Sequence, residues 1–260
     1  MDDRAKGAEP AGALTRHALI PLSIFTCFVL VYVVEAPSWV VLPIGLAVMA
    51  LYLAAPTIGR RSLARFDRDL VQLLARGSRA ALAARYNRAI GMRLFEAPAR
   101  VAERRGLVLA ECGDAEGARE AYRQALEGYP EGRAPLAVRL GYAHASFAVG
   151  DDGEAIAAYR SVLRETTSLP RVARNLARAL ARRGDDLDEA ERLVAELARD
   201  AADPDPELLL IRALVHAARG QRGPAKELLT RAGDAEGETA PALRAEVERA
   251  LGAEVNRPSA

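Results

Sequence analysis

The feature that most constrains this chain is a spacing. Around Gly113 stand Gly106 at −7, Ala118 at +5, Tyr122 at +9, Ala125 at +12 and Pro130 at +17. The frame returns at Gly150, with Ala143 at −7, Ala155 at +5 and Tyr159 at +9. There Val162 replaces the second alanine and the proline arrives late, as Pro170. At Gly184, Ala177 stands at −7 and one extra turn residue moves the next alanine to Ala190. At Gly220 the frame is Ala213, Ala225, Leu229 and Ala232. Ala118, Ala155, Ala190 and Ala225 are thus separated by 37, 35 and 35 residues, a period that marks one repeated supersecondary unit. Two antiparallel helices on a short turn approach closely only where Gly or Ala sits at their crossing. A bulky residue then fills the groove toward the next pair.

This frame resembles that of the tetratricopeptide repeat family. The resemblance implies an all-α chain whose helix pairs stack into a right-handed α-solenoid, with the first helix of each pair lining a concave groove. Four repeats are expected over 99–240, at about 99–133, 136–170, 171–204 and 206–237. A degenerate unit over 60–98 precedes them: Gly77 has Tyr86 at +9 and Ala89 at +12, but Leu82 takes the first alanine's place, and Pro98 ends it. After Pro241, the residues Leu243, Val247, Ala250 and Leu251 form one helical stripe. That is the pattern of a polar-faced capping helix, expected over 241–256. The chain ends, 1–16 and 257–260, are expected to be disordered.

Composition agrees with helices and narrows the rest. Hydrophobic types make up 50% of the chain but aromatics only 5%, and Lys6 and Lys226 are the only lysines. Such Ala/Leu/Arg/Glu bias excludes β-sandwiches, barrels and collagen-like repeats, and two cysteines exclude a disulfide scaffold. A net charge of +1 argues against general nucleic-acid binding. That figure averages unlike regions, however. Nine arginines against two aspartates give an excess of seven positive charges over 60–93, whereas 17 acidic against nine basic residues give −8 over 185–254. One end should face something anionic.

Two uncharged apolar runs precede the repeats. The first, 18–34, is 17 residues, and the second occupies 36–59 with Trp39 near its start. At ~1.5 Å per residue each approaches the ~30 Å hydrocarbon core of a bilayer. Only Glu35-Ala-Pro-Ser38 separates them, so the expectation is a transmembrane helical hairpin over 17–59, with helices at about 18–34 and 39–58. Arg4, Lys6 and Arg16 precede it, and Arg60, Arg61, Arg65 and Arg68 follow it. The positive-inside rule then places the N-terminus and the repeats in the cytoplasm of a bacterial-type membrane. A cleaved signal peptide is the competing reading, but no A-x-A-like site follows Val34. Arg60, Arg61, Arg65 and Arg68 are candidates for anionic-lipid contact.

No catalytic constellation is visible. His17, His144 and His216 have no partners at metal-ligand spacing, and no P-loop, dinucleotide fingerprint or nucleophile elbow occurs. Cys27 and Cys112 read as small buried hydrophobes. The acidic run Asp185 to Glu189 lacks the glycine and last glutamate of a calcium loop. The expectation is therefore no enzyme, no cofactor and no metal. Binding is what the resemblance implies. The first helix of the third repeat projects Arg171, Arg174, Asn175 and Arg178, an arginine ladder able to bind a carboxylate or an acidic peptide. The matching faces of its neighbours carry Leu140, His144 and Phe147, and Leu210, Ile211 and Leu214, which departs from a chaperone-tail clamp. The leading expectation is a membrane-anchored adaptor that recruits a protein partner to a mixed apolar and basic groove. The alternative is a structural subunit of a larger membrane assembly, with self-association open in either case.

Overall fold

The computed structural model describes residues 25, 38–130, 132–166, 169–199, 205–233 and 240–253. The apolar run 18–34, apart from Phe25, and the terminal tails lie outside the described residues. All regular structure among them is helical, and the chain divides into two compact units, 1–134 and 135–260.

In the first unit, α1 (Ser38–Ala75) is followed by α2 (Arg79–Arg88), α3 (Ile90–Phe95), α4 (Pro98–Glu111) and α5 (Ala115–Gly128). The sequence suggests a membrane helix ending near residue 58 and separate basic helices beyond it; instead α1 runs 38 residues without a break, through Pro43 and Pro56. Continuity follows from residues 60–75, whose Arg, Leu, Ala and Phe are good or neutral helix formers, and from docking of that half. Leu63, Phe66 and Leu70 are buried with Leu82, Tyr86, Ala89, Met92 and Val108 in one core. The N-terminal half is largely exposed, with Leu42, Leu46, Met49 and Leu53 all more than half exposed. It is the one helix among the described residues long and apolar enough to cross a membrane.

The frame glycines are the turn residues. Gly77, Gly113, Gly150, Gly184 and Gly220 all take positive φ, between 63° and 88°, the left-handed conformation that ends a helix and that glycine adopts without a Cβ penalty. The next helix starts at once: Asp114 and Asp151 accept hydrogen bonds from the backbone N–H of Gly117 and Glu154, satisfying first-turn donors. The extra residue after Gly184 is absorbed by Asp186, itself at φ 45°. Pro98, Pro170 and Pro206 each open a helix, where the missing N–H has no partner to lose.

In the second unit the pairs are α6 (Leu136–Val149) with α7 (Asp152–Glu165), α8 (Pro170–Arg183) with α9 (Leu187–Arg199), and α10 (Pro206–Ala218) with α11 (Arg222–Arg231). α12 (Ala240–Ala253) covers the last of them. Each pair packs on the next, and first helices also touch: α8 lies against α10, and α10 against α12. The frame alanines Ala143, Ala155, Ala177, Ala190, Ala213 and Ala225 are all fully buried at the crossings. One turn on, Tyr159 and Val194 fill the space between pairs and are 0% and 2% exposed. Burying such a large side chain contributes about 1.5–3 kcal/mol. In the α4–α5 pair the same geometry is visible at Gly106, where a Cβ would fall 2.9 Å from the Tyr122 ring.

Candidate functional site

The face to consider is the one shared by the first helices α6, α8, α10 and α12 of the second unit. α8 is the most amphipathic of them, with Val172, Leu176, Ala177 and Leu180 buried on one side and its arginines on the other. Arg178 on α8 makes a two-pronged ion pair with Glu246 on α12, with Nε to Oε2 at 2.8 Å and Nη2 to Oε1 at 2.5 Å. That pair reaches past α10, which packs between α8 and α12. Such a bridge requires the shared face to curve inward.

The remaining candidates divide by what they touch. Arg174 pairs with Asp205 at 2.5 Å and Glu207 at 2.9 Å, both at the start of α10. Asn175 donates to the hydroxyl of buried Tyr159 at 3.4 Å. Burial pushes the Tyr159 phenol above its ordinary pKa, so it stays neutral. Phe147 is half-buried under two guanidinium groups, Arg178 at 5.3 Å and Arg182 at 4.9 Å from its ring centroid, a geometry favourable by cation–π attraction. Arg182 also reaches Asp152 at 3.2 Å. Desolvation raises the pKa of Asp152, and Arg182 only partly offsets it.

Arg171 and His144 remain open to solvent, and among the described residues Arg171 makes no ion pair. Leu140 beside them is half-buried. The His144 ring sits 5.6 Å from that of Tyr159. His144 is accessible yet ringed by protein, and this desolvation, with the charge of Arg171 second, lowers its pKa from 6.5.

Leu210, Ile211 and Leu214 require a correction. They are 0%, 1% and 3% exposed, members of the core that also holds Leu176, Leu180, Leu243 and Val247. Being enclosed by α8, α11 and α12, they cannot line an open groove. Sequence position alone could not show this, because the frame sets Leu210, Ile211 and Leu214 in the register of Arg174, Asn175 and Arg178; what buries them is the packing of α10 against α8, α11 and α12. The carboxylates that occupy the arginine ladder are a second feature missed from sequence. Its trace was there in the acidic excess over 185–254: Asp186, Glu189, Asp205, Glu207 and Glu246 all neutralise arginines of the preceding helices, Arg160, Arg174 and Arg178.

The basic excess over 60–93 has a different fate. Asp67 is taken by Arg104 at 2.7 Å and Asp69 by Arg85 at 2.6 Å. Arg60, Arg61, Arg65 and Arg68 are exposed on α1. Among the described residues they pair with no carboxylate; Arg68 bonds only the Ala64 carbonyl of its own helix.

No family model matches the chain, and no curated protein matches it. Similar solved structures include two tetratricopeptide-type folds of helical repeats. One is a tetratricopeptide repeat protein from Parabacteroides merdae, at 15% identity and TM-score 0.44, covering 95% of this chain and 87% of that one. The other is PilF of Pseudomonas aeruginosa, at 18% identity and TM-score 0.46, covering 89% of this chain and 97% of that one. At those scores the likeness carries no argument of its own. The tetratricopeptide-like character of these repeats rests on their own residues: glycines in left-handed turns, alanines at each crossing, and first helices packed on first helices.

Proposed function

We propose that this protein is a membrane-anchored scaffold whose helix pairs recruit a protein partner. The observation that carries the reading is α1. Its first half is an apolar helix that is largely exposed, and its second half is built into the core of the first unit. From Ser38 to Gly59 the helix rises about 31 Å, matching a hydrocarbon core of about 30 Å. Trp39 at one end and Arg60 and Arg61 at the other suit the two interfaces. Arg60, Arg61, Arg65 and Arg68, in the second half of α1, favour a cytoplasmic location for the helix pairs.

The partner surface is the α6–α8 face around Arg171, His144 and Leu140, where charge is still available. Arg174 and Arg178 hold the repeats together, so reversing them would test folding rather than binding. The test is co-purification from detergent-solubilised membranes, comparing the native chain with Arg171→Glu and with a His144→Ala/Leu140→Ser variant. All should have unchanged circular dichroism. Loss of a partner with either variant supports the groove. Retention with both favours the second reading, a structural subunit of a larger membrane assembly. The internal neutralisation of Arg174 and Arg178 supports that alternative, since it leaves little free charge on the face.

A further inference from the structure

α3 is a six-residue helix lying against α1 at one defined level. A Cβ on Gly59 would fall 2.7 Å from the Phe95 carbonyl oxygen, and one on Gly91 would fall 3.3 Å from Ser62 Cβ and 3.4 Å from Ile58 Cγ2. The two helices therefore touch over residues 58–62. There the apolar surface of α1 gives way to Arg60 and Arg61. Ile90, next to Gly91 at the start of α3, is 60% exposed, and Ile58 is 38% exposed. Arg88, at the end of α2, is exposed too and has no ion pair among the described residues.

We infer that this corner, Arg88 and Ile90 together with Ile58, Arg60 and Arg61, is a contact site for an anionic phospholipid surface. The inference rests on the reading of α1 as a membrane helix. Two features select lipid as the occupant. The exposed isoleucines are continuous with the largely exposed apolar surface of α1, so a bilayer that covers that surface meets Ile90 at its edge. Among the described residues the cations at the same level, Arg60, Arg61 and Arg88, have no carboxylate partner. Ile90 enters the boundary between headgroups and acyl chains, and Arg60, Arg61 and Arg88 bind lipid phosphates. An amphipathic corner of this kind holds the first unit at a fixed height on the membrane.

The chain has a single tryptophan, Trp39, which makes fluorescence a direct test. The full-length protein, a Trp39→Phe/Ile90→Trp variant and a Trp39→Phe/Val71→Trp variant are reconstituted into phosphatidylcholine vesicles with or without phosphatidylglycerol. Quencher-labelled lipids are added, carrying the label either near the headgroup or at the chain end. The expected result is quenching of Trp39, quenching of the residue-90 probe by the headgroup-proximal label, and none at position 71, some 20 Å farther along α1. Quenching at position 90 should diminish without phosphatidylglycerol, and also when Arg60, Arg61 and Arg88 are changed to Gln. An unquenched Trp39 overturns the membrane helix itself. Quenched Trp39 with a residue-90 probe open to iodide overturns this inference alone. A position-90 probe with blue-shifted emission but indifferent to labelled lipid points to protein cover, and overturns it equally.

Discussion

Gly150 closes α6 at φ 88°, and a Cβ placed there would meet nothing nearer than Arg182 Nη2 at 3.5 Å. A substitution at this position therefore isolates the backbone term. Gly150→Ala is expected to cost about 1–2 kcal/mol, the penalty of a left-handed L-residue, read as a lower urea midpoint with an unchanged slope. His144 offers a test of a different kind. Its pKa is lowered in the fold by desolvation and then by Arg171, so the unfolded chain binds a proton more readily than the folded one. The stability this represents is present above pH 6.5 and is lost as pH falls through the depressed value. The native protein should melt at a lower temperature at mildly acidic than at neutral pH, and His144→Gln should reduce that difference. An identical pH dependence in both would remove the residue from the account.

Among the elements, α12 has the largest effect on the face. It buries Leu243 and Val247 against α10 and delivers Glu246 to Arg178, whose side chains are only 17% and 13% exposed. Removing one member leaves the other desolvated without a counter-charge, so Arg178→Gln is expected to cost about 3 kcal/mol. The double change Arg178→Gln/Glu246→Gln should cost clearly less than the sum of the singles. A double-mutant cycle by chemical denaturation measures the coupling, and additive effects would show that the pair is not formed. The element-scale lesson also applies to α1. Hydropathy ends the apolar segment near residue 58, where the helix itself does not end. The helix goes on because Leu63, Phe66 and Leu70 find a core to enter.

At the scale of the molecule, charge segregation has two outcomes. Part of the acidic surplus over 185–254 is taken up by arginines that precede it, in partly exposed pairs of Arg160 with Asp186 and Glu189 and of Arg174 with Asp205 and Glu207. Each contributes no more than about 1 kcal/mol, yet together they fix the register of neighbouring helices. Arg60, Arg61, Arg65 and Arg68, beside the apolar half of α1, pair with no carboxylate among the described residues. With an apolar helix long enough to span, the protein is expected to stay in the membrane pellet through high-salt and alkaline carbonate washes. Release by salt alone would show that it is held by charge rather than by insertion.

The repeat frame was legible in the sequence because it is enforced locally: a left-handed turn demands Gly113, Gly150, Gly184 or Gly220, and a close crossing demands Ala118, Ala155, Ala190 or Ala225. Those requirements act over a few residues, so they leave a period that can be counted. The apolar run of α1 was legible for the same reason. The composition of the face was not. Arg174, Arg178, Leu210 and Leu214 share a register, and nothing local distinguishes a free residue from a covered one. That decision belongs to contacts between residues 31 to 68 positions apart, Arg174 with Asp205 and Arg178 with Glu246. It was made only in the packed fold, where α8, α11 and α12 around α10 turn expected groove leucines into core, and carboxylates at the start of α10 and on α12 turn most of an expected binding ladder into struts.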